Sequence, residues 1–141
     1  MPSTPDFSLC LGKGMYLKKI MPEGVWYLKS EKWYDLIDGK ADMSEEPYEK
    51  IYEDYSTNNV WVIAKSDEKY SISEYRNSSK RDTWNQVGNL EYRNHVGTGR
   101  DRVIIKSVSE KTMVVELYDG YYGEGYDSGK TSEFGILTFI R

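Results

Sequence analysis

The segment 118–129 carries the residue types of a recognition loop. It holds four tyrosines, whose flat rings offer amphipathic contact surfaces, and four glycines, which let the backbone adapt to a partner. Its acids do not follow the spacing of an EF-hand calcium loop, so a metal loop is the weakest interpretation. The sequence leaves open a long hairpin packed on neighbouring strands and a loop that recognises a ligand or partner. The candidate binding residues in this segment are Tyr118, Tyr121, Tyr122 and Tyr126.

An acidic stretch, residues 35–54, is the second candidate surface. Eight acids and two lysines give it a net charge of −6, in a chain whose overall net charge is −4. It is either a solvated face or a docking surface for a basic protein partner. An acidic chain without a basic stripe is a poor nucleic-acid binder, because contacts to phosphate dominate that affinity. We therefore expect no nucleic-acid partner.

Side chains suited to catalysis or metal binding are scarce. His95 is the only histidine, which excludes a multi-histidine zinc site and weakens any Ser-His-Asp arrangement. Cys10 is the only cysteine, so no disulfide can form within the chain. We expect no metal, no cofactor and no catalytic residue, and hence a protein that is not an enzyme.

The composition points to one domain built from β-strands. The chain has 141 residues, and thirteen tyrosines and four tryptophans favour pleated surfaces. No run of apolar residues approaches the roughly 20 that a membrane-spanning helix needs. No signal peptide is recognisable, so we expect a cytoplasmic location; the alternative, if such a peptide has been removed, is a periplasmic or lipid-anchored protein.

Short segments of alternating polarity, separated by turn residues, recur every 8–12 positions or so, as in β-barrels and sandwiches. We therefore predict an all-β fold, an eight-stranded antiparallel up-and-down barrel in residues 24–141. Residues 1–23 form an N-terminal segment, predicted to be irregular or to hold a short helix. The predicted strands cover residues 24–30, 60–64, 69–75, 83–87, 89–95, 102–108, 112–118 and 134–141.

Two stretches have less certain structure. Residues 48–55 place Tyr48, Ile51, Tyr52 and Tyr55 on one helical stripe, which favours a helix slightly over a strand. Residues 35–47 are predicted to be a long loop, because they combine acids with turn residues.

Five short motifs lie in order along residues 24–141. They are Gly24-Val25-Trp26, Asp67-Glu68-Lys69-Tyr70, the hairpin from Trp84 to Leu90, the paired strands from Val103 to Leu117, and Thr138-Phe139-Ile140-Arg141. Together they resemble the small lipocalin-like barrel domains common in Bacteroidetes. The resemblance implies that the first-strand Trp26 lies under the barrel and that Arg141, next to Phe139 in the last strand, stacks over it. The alternative is that Trp26 is an ordinary core residue and Arg141 a frayed end.

The resemblance also implies a binding site inside the barrel. An eight-stranded barrel can hold one small ligand or fill itself with side chains, and the sequence leaves both open. We predict a non-enzymatic binding protein for a small apolar or amphipathic ligand, held by Trp61, Tyr70 and Trp84. The alternative is a protein-interaction module of the immunity, inhibitor or surface-assembly type, using residues 35–54 and 118–129. The residues predicted to face inward are Trp26, Leu28, Trp61, Ile63, Tyr70, Ile72, Trp84, Leu90, Val103, Ile105, Met113, Val115, Leu117, Leu137 and Phe139.

Overall fold

A computed structural model describes residues 7–10, 17–37, 40–94, 102–119 and 133–141. Within these ranges all regular structure is β-strand, and no helix occurs. The strands are β1 (Phe7–Cys10), β2 (Leu17–Ile20), β3 (Gly24–Ile37), β4 (Lys40–Ala41), β5 (Tyr48–Ile51), β6 (Asn59–Ser66), β7 (Lys69–Arg76), β8 (Ser79–Gln86), β9 (Glu91–Arg93), β10 (Arg102–Val108), β11 (Thr112–Asp119) and β12 (Glu133–Ile140).

Eight of these strands form a closed antiparallel barrel. The order around the wall is β3, β6, β7, β8, β9, β10, β11 and β12, and β12 pairs back onto β3. Successive barrel strands are neighbours, so the predicted eight-stranded up-and-down barrel is confirmed. Strands β1 and β2 pair with each other as a separate two-stranded sheet. We call the end where β3 begins and β12 finishes the lower end, and the opposite end the upper end.

The predictions for residues 35–55 are wrong in part: residues 42–47 form turns and irregular structure as expected, but residues 48–51 are a strand and not the favoured helix. The length of β3 explains the difference. This strand runs for fourteen residues, but β6 pairs only with its first four, from Gly24 to Tyr27. The remaining backbone groups along that edge need partners, and β5 supplies them as a strand beside residues 30–33 instead of a helix. Strand β4 likewise pairs with the last residues of β3, where a loop was expected. The described residues of the N-terminal segment include the two strands β1 and β2, and no helix is found among these residues.

Two hairpins turn through residues with positive φ. Asp67 and Glu68 have φ values of 51° and 67°, and Asn77 and Ser78 have φ values of 52° and 67°. A positive φ at both central residues defines the type I′ turn, whose twist matches that of paired strands. The turn predicted around Asp67 and Glu68 is therefore a tight two-residue connection between β6 and β7.

The barrel core consists of the predicted inward-facing residues. All fifteen are buried except Leu90, which is half-buried. The buried set also includes Tyr92, Val108 and Phe134. The structure thus confirms that the predicted apolar residues face the barrel interior.

Arg141 closes the lower end by stacking on Trp26. The guanidinium carbon lies 4.0 Å from the centre of the Trp26 ring system. Its Nη1 donates to the Glu23 carbonyl at 2.8 Å, and its Nε donates to the Glu110 carbonyl at 2.8 Å. The Trp26 Nε1 donates to the Pro22 carbonyl at 2.6 Å. The last residue thereby ties the start of β3 to the turn between β10 and β11, and Arg141 is not a frayed end.

A β-bulge in β3 changes which residues face inward. Leu28 pairs with Phe139 and Ser30 pairs with Thr138, so Lys29 is an extra residue on β3. Below the bulge the inward positions are even-numbered, with Trp26 and Leu28 buried. Above it the alternation shifts by one residue, so Glu31 and Trp33 face the interior. The bulge therefore separates an apolar lower half from a polar upper half.

Candidate ligand-binding site

A pocket of about 350 Å³ occupies the upper half of the barrel interior. Its floor is aromatic: the rings of Trp61 and Trp84 have centroids 5.0 Å apart, and those of Trp61 and Phe139 are 4.5 Å apart. The barrel is thus filled below and open above, which combines the two alternatives that the sequence left open. Residues from six strands line the pocket: Leu28, Glu31, Trp33, Asn59, Trp61, Glu74, Arg76, Arg81, Asp82, Trp84, Leu117, Glu133, Leu137 and Phe139.

The upper wall of the pocket is charged. Among the described residues, four acids and two arginines contribute to the lining, with a formal net charge of −2. The Arg76 guanidinium lies 3.9 Å from the Glu74 carboxylate, so this arginine is already associated with one of the acids. We call Glu31, Glu74, Asp82 and Glu133 the acidic rim.

Three indoles line the pocket, and they differ in their hydrogen bonding. Trp61 donates from Nε1 to Glu74 Oε2 at 3.2 Å, and Trp33 donates to Glu31 Oε1 at 2.9 Å. The Trp84 Nε1 is buried, and no partner for it lies among the described residues. Trp84 is only 2% exposed, so the surface gives its N–H little access to bulk water. A buried donor without an acceptor costs about 1–3 kcal/mol. Because the Nε1 atom has almost no accessible surface, an acceptor in the pocket could reach it only if the indole shifted.

Glu31 is oriented by two neutral donors. Besides the Trp33 indole, the Tyr52 hydroxyl donates to Glu31 Oε2 at 2.6 Å. Burial, followed by this hydrogen bond to the Glu31 carboxylate, raises the pKa of Tyr52 to about 12. Tyr52 therefore remains a proton donor at neutral pH and holds the carboxylate in one orientation.

Trp33 can lie across the wall only because Gly135 faces it. The two residues are direct partners in the pairing of β3 with β12. A Cβ atom at position 135 would come within 2.7 Å of the Trp33 ring, closer than real Cβ contacts. The glycine thus leaves room for the indole that orients Glu31.

The structure brings some of the predicted binding residues into the pocket and leaves others outside. Trp61 and Trp84 lie in its lining. Tyr70 is buried in the core but is not a lining residue, and Tyr118 packs against Phe134 at 4.9 Å, beneath the Arg102 guanidinium. Tyr121, Tyr122 and Tyr126 lie outside the described residues, as does the centre of the 118–129 segment.

Sequence reasoning missed the acidic rim and Trp33. Simple alternation from Trp26 places residues 31 and 33 on the outer face, because both lie an odd number of positions away. Only the bulge at Lys29 reverses this, and nothing in the local sequence marks a bulge there. The one available signal was the pair of a bulky Trp33 and a Gly135 in the strand that closes the barrel.

A second, smaller pocket of about 110 Å³ adjoins the first at the upper end. The two share Trp33 and Glu133 as lining residues. The other acids of the smaller pocket come from the acidic stretch 35–54, so part of that stretch continues the wall of the binding site. Those acids are Asp35, Asp42, Glu45 and Glu46. In the described ranges, no group of three or more metal-ligating side chains has the arrangement of a metal site.

Comparisons with known proteins do not assign the chain to a family. Scans against protein-family models, curated proteins and solved structures found no match. In the part of the chain that the structure describes, no helix is long and apolar enough to cross a membrane. The functional argument therefore starts from the pocket.

Proposed function

We propose that this chain is a non-enzymatic binding protein that holds one small amphipathic ligand in the upper half of its barrel. The observation that carries the proposal is the pocket of about 350 Å³ over the aromatic floor of Trp61, Trp84 and Phe139. Binding pockets for small molecules are concave, largely apolar and supplied with a few placed polar groups. The resemblance of the sequence to lipocalin-like domains supports the same location.

The pocket favours a ligand with two distinct parts. A flat apolar body would stack on Trp61, Trp84 and Phe139. The polar part would lie higher, beside the acidic rim. Because the lower interior is filled by buried side chains, the ligand must enter from the upper end.

The four indole N–H groups provide a direct test. A ¹H–¹⁵N correlation spectrum of the folded protein shows one indole signal for each tryptophan, and 1-naphthalenemethanol serves as a neutral amphipathic probe. We expect saturable movement of the Trp84 signal, because the aromatic ring of the probe would pack against this indole. The Trp26 signal should stay in place, because this N–H is already bonded to Pro22.

Substitution of Trp84 checks the same contact. Trp84→Phe replaces the indole of the pocket floor with a smaller ring, so we expect the affinity for the probe to fall by about threefold to tenfold through lost packing area. Tyr118→Phe, on the outer face, is the matched control and should leave the affinity unchanged. The proposal fails if no naphthalene probe saturates any indole signal, or if probes bind while the Trp84 signal stays still.

A further inference from the structure

We infer that the pocket selects a compact, ring-shaped ligand over an extended alkyl chain, because the aromatic floor closes the barrel interior directly beneath the pocket. This inference rests on the proposed function and adds the shape of the ligand to it. An eight-stranded barrel can hold one small ligand or can be filled by side chains. In this barrel the rings of Trp61, Trp84 and Phe139 mark the boundary between the filled part and the open part.

The aromatic floor reaches across five neighbouring strands of the wall. Its rings come from β12, β6 and β8, and the strands β3 and β7 lie between them. The Trp61 ring is in the middle, with its centroid 4.5 Å from that of Phe139 and 5.0 Å from that of Trp84. Because carbon atoms in contact are about 3.5–4.0 Å apart, an alkyl chain between two rings would need them to be about 7–8 Å apart. The floor therefore leaves no path for a chain between its rings.

The opposite side of the barrel interior is filled by side chains from β9, β10 and β11. Five of these side chains are fully buried: Tyr92, Val103, Ile105, Met113 and Val115. None of the five belongs to the lining of the pocket. Close-packed protein interiors leave few voids larger than a water molecule. The described residues on this side therefore offer no second route past the floor.

The residues beneath the aromatic floor are equally well packed. Ile63 follows Trp61 on the inward face of β6 and is 1% exposed, and Ile72 and Trp26 are fully buried. Arg141 seals the lower end against Trp26. A ligand must therefore fit into the pocket of about 350 Å³, which is near the lower limit of the roughly 300–1,000 Å³ typical of small-molecule sites.

A ring uses this limited space better than a chain does. Above the floor the pocket has apolar walls, which include Leu28, Leu117, Leu137 and the half-buried indole of Trp33. A flat ring can pack against the floor and a wall at the same time, and it has no rotatable bonds to immobilise. An extended chain meets the floor after a few methylene groups, and the rest of it stays in water at the upper end. Further length therefore adds no apolar burial.

A series of straight-chain alcohols measures the depth of the pocket. The series runs from 1-hexanol to 1-dodecanol, and displacement of 1-naphthalenemethanol, followed through the Trp84 indole signal, gives each affinity. In an open barrel every added methylene group would raise the affinity about fourfold. We expect this increase to stop within the series, so that 1-dodecanol binds no more tightly than 1-decanol.

Two probes with the same number of carbon atoms test the preference for a ring. 1-Naphthalenemethanol and 1-undecanol each carry a single hydroxyl group, but only the first is compact and rigid. A deep apolar channel would favour 1-undecanol, which has the larger apolar surface. We expect 1-naphthalenemethanol to bind about tenfold more tightly, because the chain cannot bury its full length.

Opening the floor should relax the limit on chain length. Phe139→Val removes one of the three rings and leaves no polar group without a partner, so we expect 1-dodecanol to bind about fourfold more tightly than it binds the unmodified chain. Met113→Ala is the matched control. It also opens a cavity in the filled core, but Met113 lies outside the pocket lining, so the increase should stop at the same chain length as before. Trp84→Leu replaces Phe139→Val if the latter does not give a folded indole spectrum.

The outcomes separate this inference from the proposed function. If 1-naphthalenemethanol binds and the affinity of the alcohols keeps rising about fourfold per methylene group up to 1-dodecanol, the binding function holds and the shape preference is overturned. It is also overturned if 1-undecanol binds as tightly as 1-naphthalenemethanol, or if Phe139→Val and Met113→Ala have equal effects on the series. If neither the ring nor the chain probes bind, the proposed function itself fails.

Discussion

The two ends of this barrel are built from the same eight strands, but the lower end is filled and sealed, whereas the upper end contains a pocket. At the lower end, Trp26 is fully buried and Arg141 seals the opening with hydrogen bonds to backbone carbonyls. At the upper end, a pocket of about 350 Å³ is lined by four carboxylates above an aromatic floor. The comparison indicates that stability is concentrated below the bulge at Lys29 and binding capacity above it.

The hydrogen bonds of the two ends show the same division. Each nitrogen of the Arg141 guanidinium donates to a carbonyl oxygen, with Nη2 completing the set at Met21, 3.0 Å away. Buried donors without a described partner occur in both halves, at Trp84 Nε1 above and at the Tyr92 hydroxyl below. The upper end differs in holding several carboxylates close together. Binding sites commonly retain such locally unfavourable groups, because a ligand is what satisfies them. The variants below probe this contrast.

The largest effect is expected from Trp26→Ala at the lower end. Removing a fully buried indole leaves a cavity and removes the stacking partner of Arg141, so we expect a loss of about 3–5 kcal/mol in the free energy of unfolding. Urea denaturation followed by far-ultraviolet circular dichroism measures it. Trp33→Ala removes the same side chain from the half-buried upper wall and should cost about 1–2 kcal/mol. Equal losses for the two variants would contradict the conclusion that stability is concentrated at the lower end.

Arg141→Lys is the next largest test of the lower end. Lysine keeps the positive charge but cannot place three nitrogens on separate carbonyls while stacking flat on an indole, so we expect a loss of about 2 kcal/mol. Arg76→Lys makes the same exchange at the upper rim, where the guanidinium is half exposed, and should change stability by less than about 0.5 kcal/mol. A thermal melt that shows no difference between the two would contradict the assigned role of Arg141.

The two ends also differ in how well the sequence predicts them. The lower end could be predicted from the sequence, because strict alternation from Trp26 and the motif ending in Arg141 both describe regular paired strands. The upper end could not be predicted, because a single extra residue, Lys29, moves Glu31 and Trp33 from the outer to the inner face. The helical stripe of residues 48–55 was similarly overridden by the unpaired edge of β3. Local patterns thus predicted the barrel, while long-range pairing determined the pocket.

At the upper end, we expect Gly135→Ala to cause a smaller loss of stability than Arg141→Lys causes at the lower end. The added methyl group would lie 2.7 Å from the Trp33 ring, so the indole must shift, at a cost of about 1–2 kcal/mol. Displacing Trp33 also changes the wall of the pocket, so the affinity for 1-naphthalenemethanol should fall as well. Denaturation and calorimetry on the same sample measure both changes. Loss of stability without any change in probe affinity would show that Trp33 does not shape the binding site.

The smallest effect is expected from Tyr52→Phe, which removes only the hydroxyl that donates to Glu31. At neutral pH we expect a loss of about 1 kcal/mol, the value of one partly exposed hydrogen bond. The pKa of Tyr52 is raised to about 12 in the folded protein, against an ordinary value of 10.0. The unfolded chain therefore releases this proton first as the pH rises, so the contribution of Tyr52 is complete below pH 10 and is lost between pH 10 and 12.

Tyr52→Phe should accordingly lose less stability than the unmodified chain over that alkaline interval. Burial also raises the pKa of Tyr92. Tyr92 and other tyrosines therefore cause part of the alkaline loss of stability in both proteins. Urea denaturation at several values between pH 8 and pH 12 makes the comparison. A double-mutant cycle with Glu31→Gln isolates the hydroxyl–carboxylate pair. If the two substitutions prove additive, Tyr52 does not hold the Glu31 carboxylate, and the orientation of the acidic rim rests on Trp33 alone.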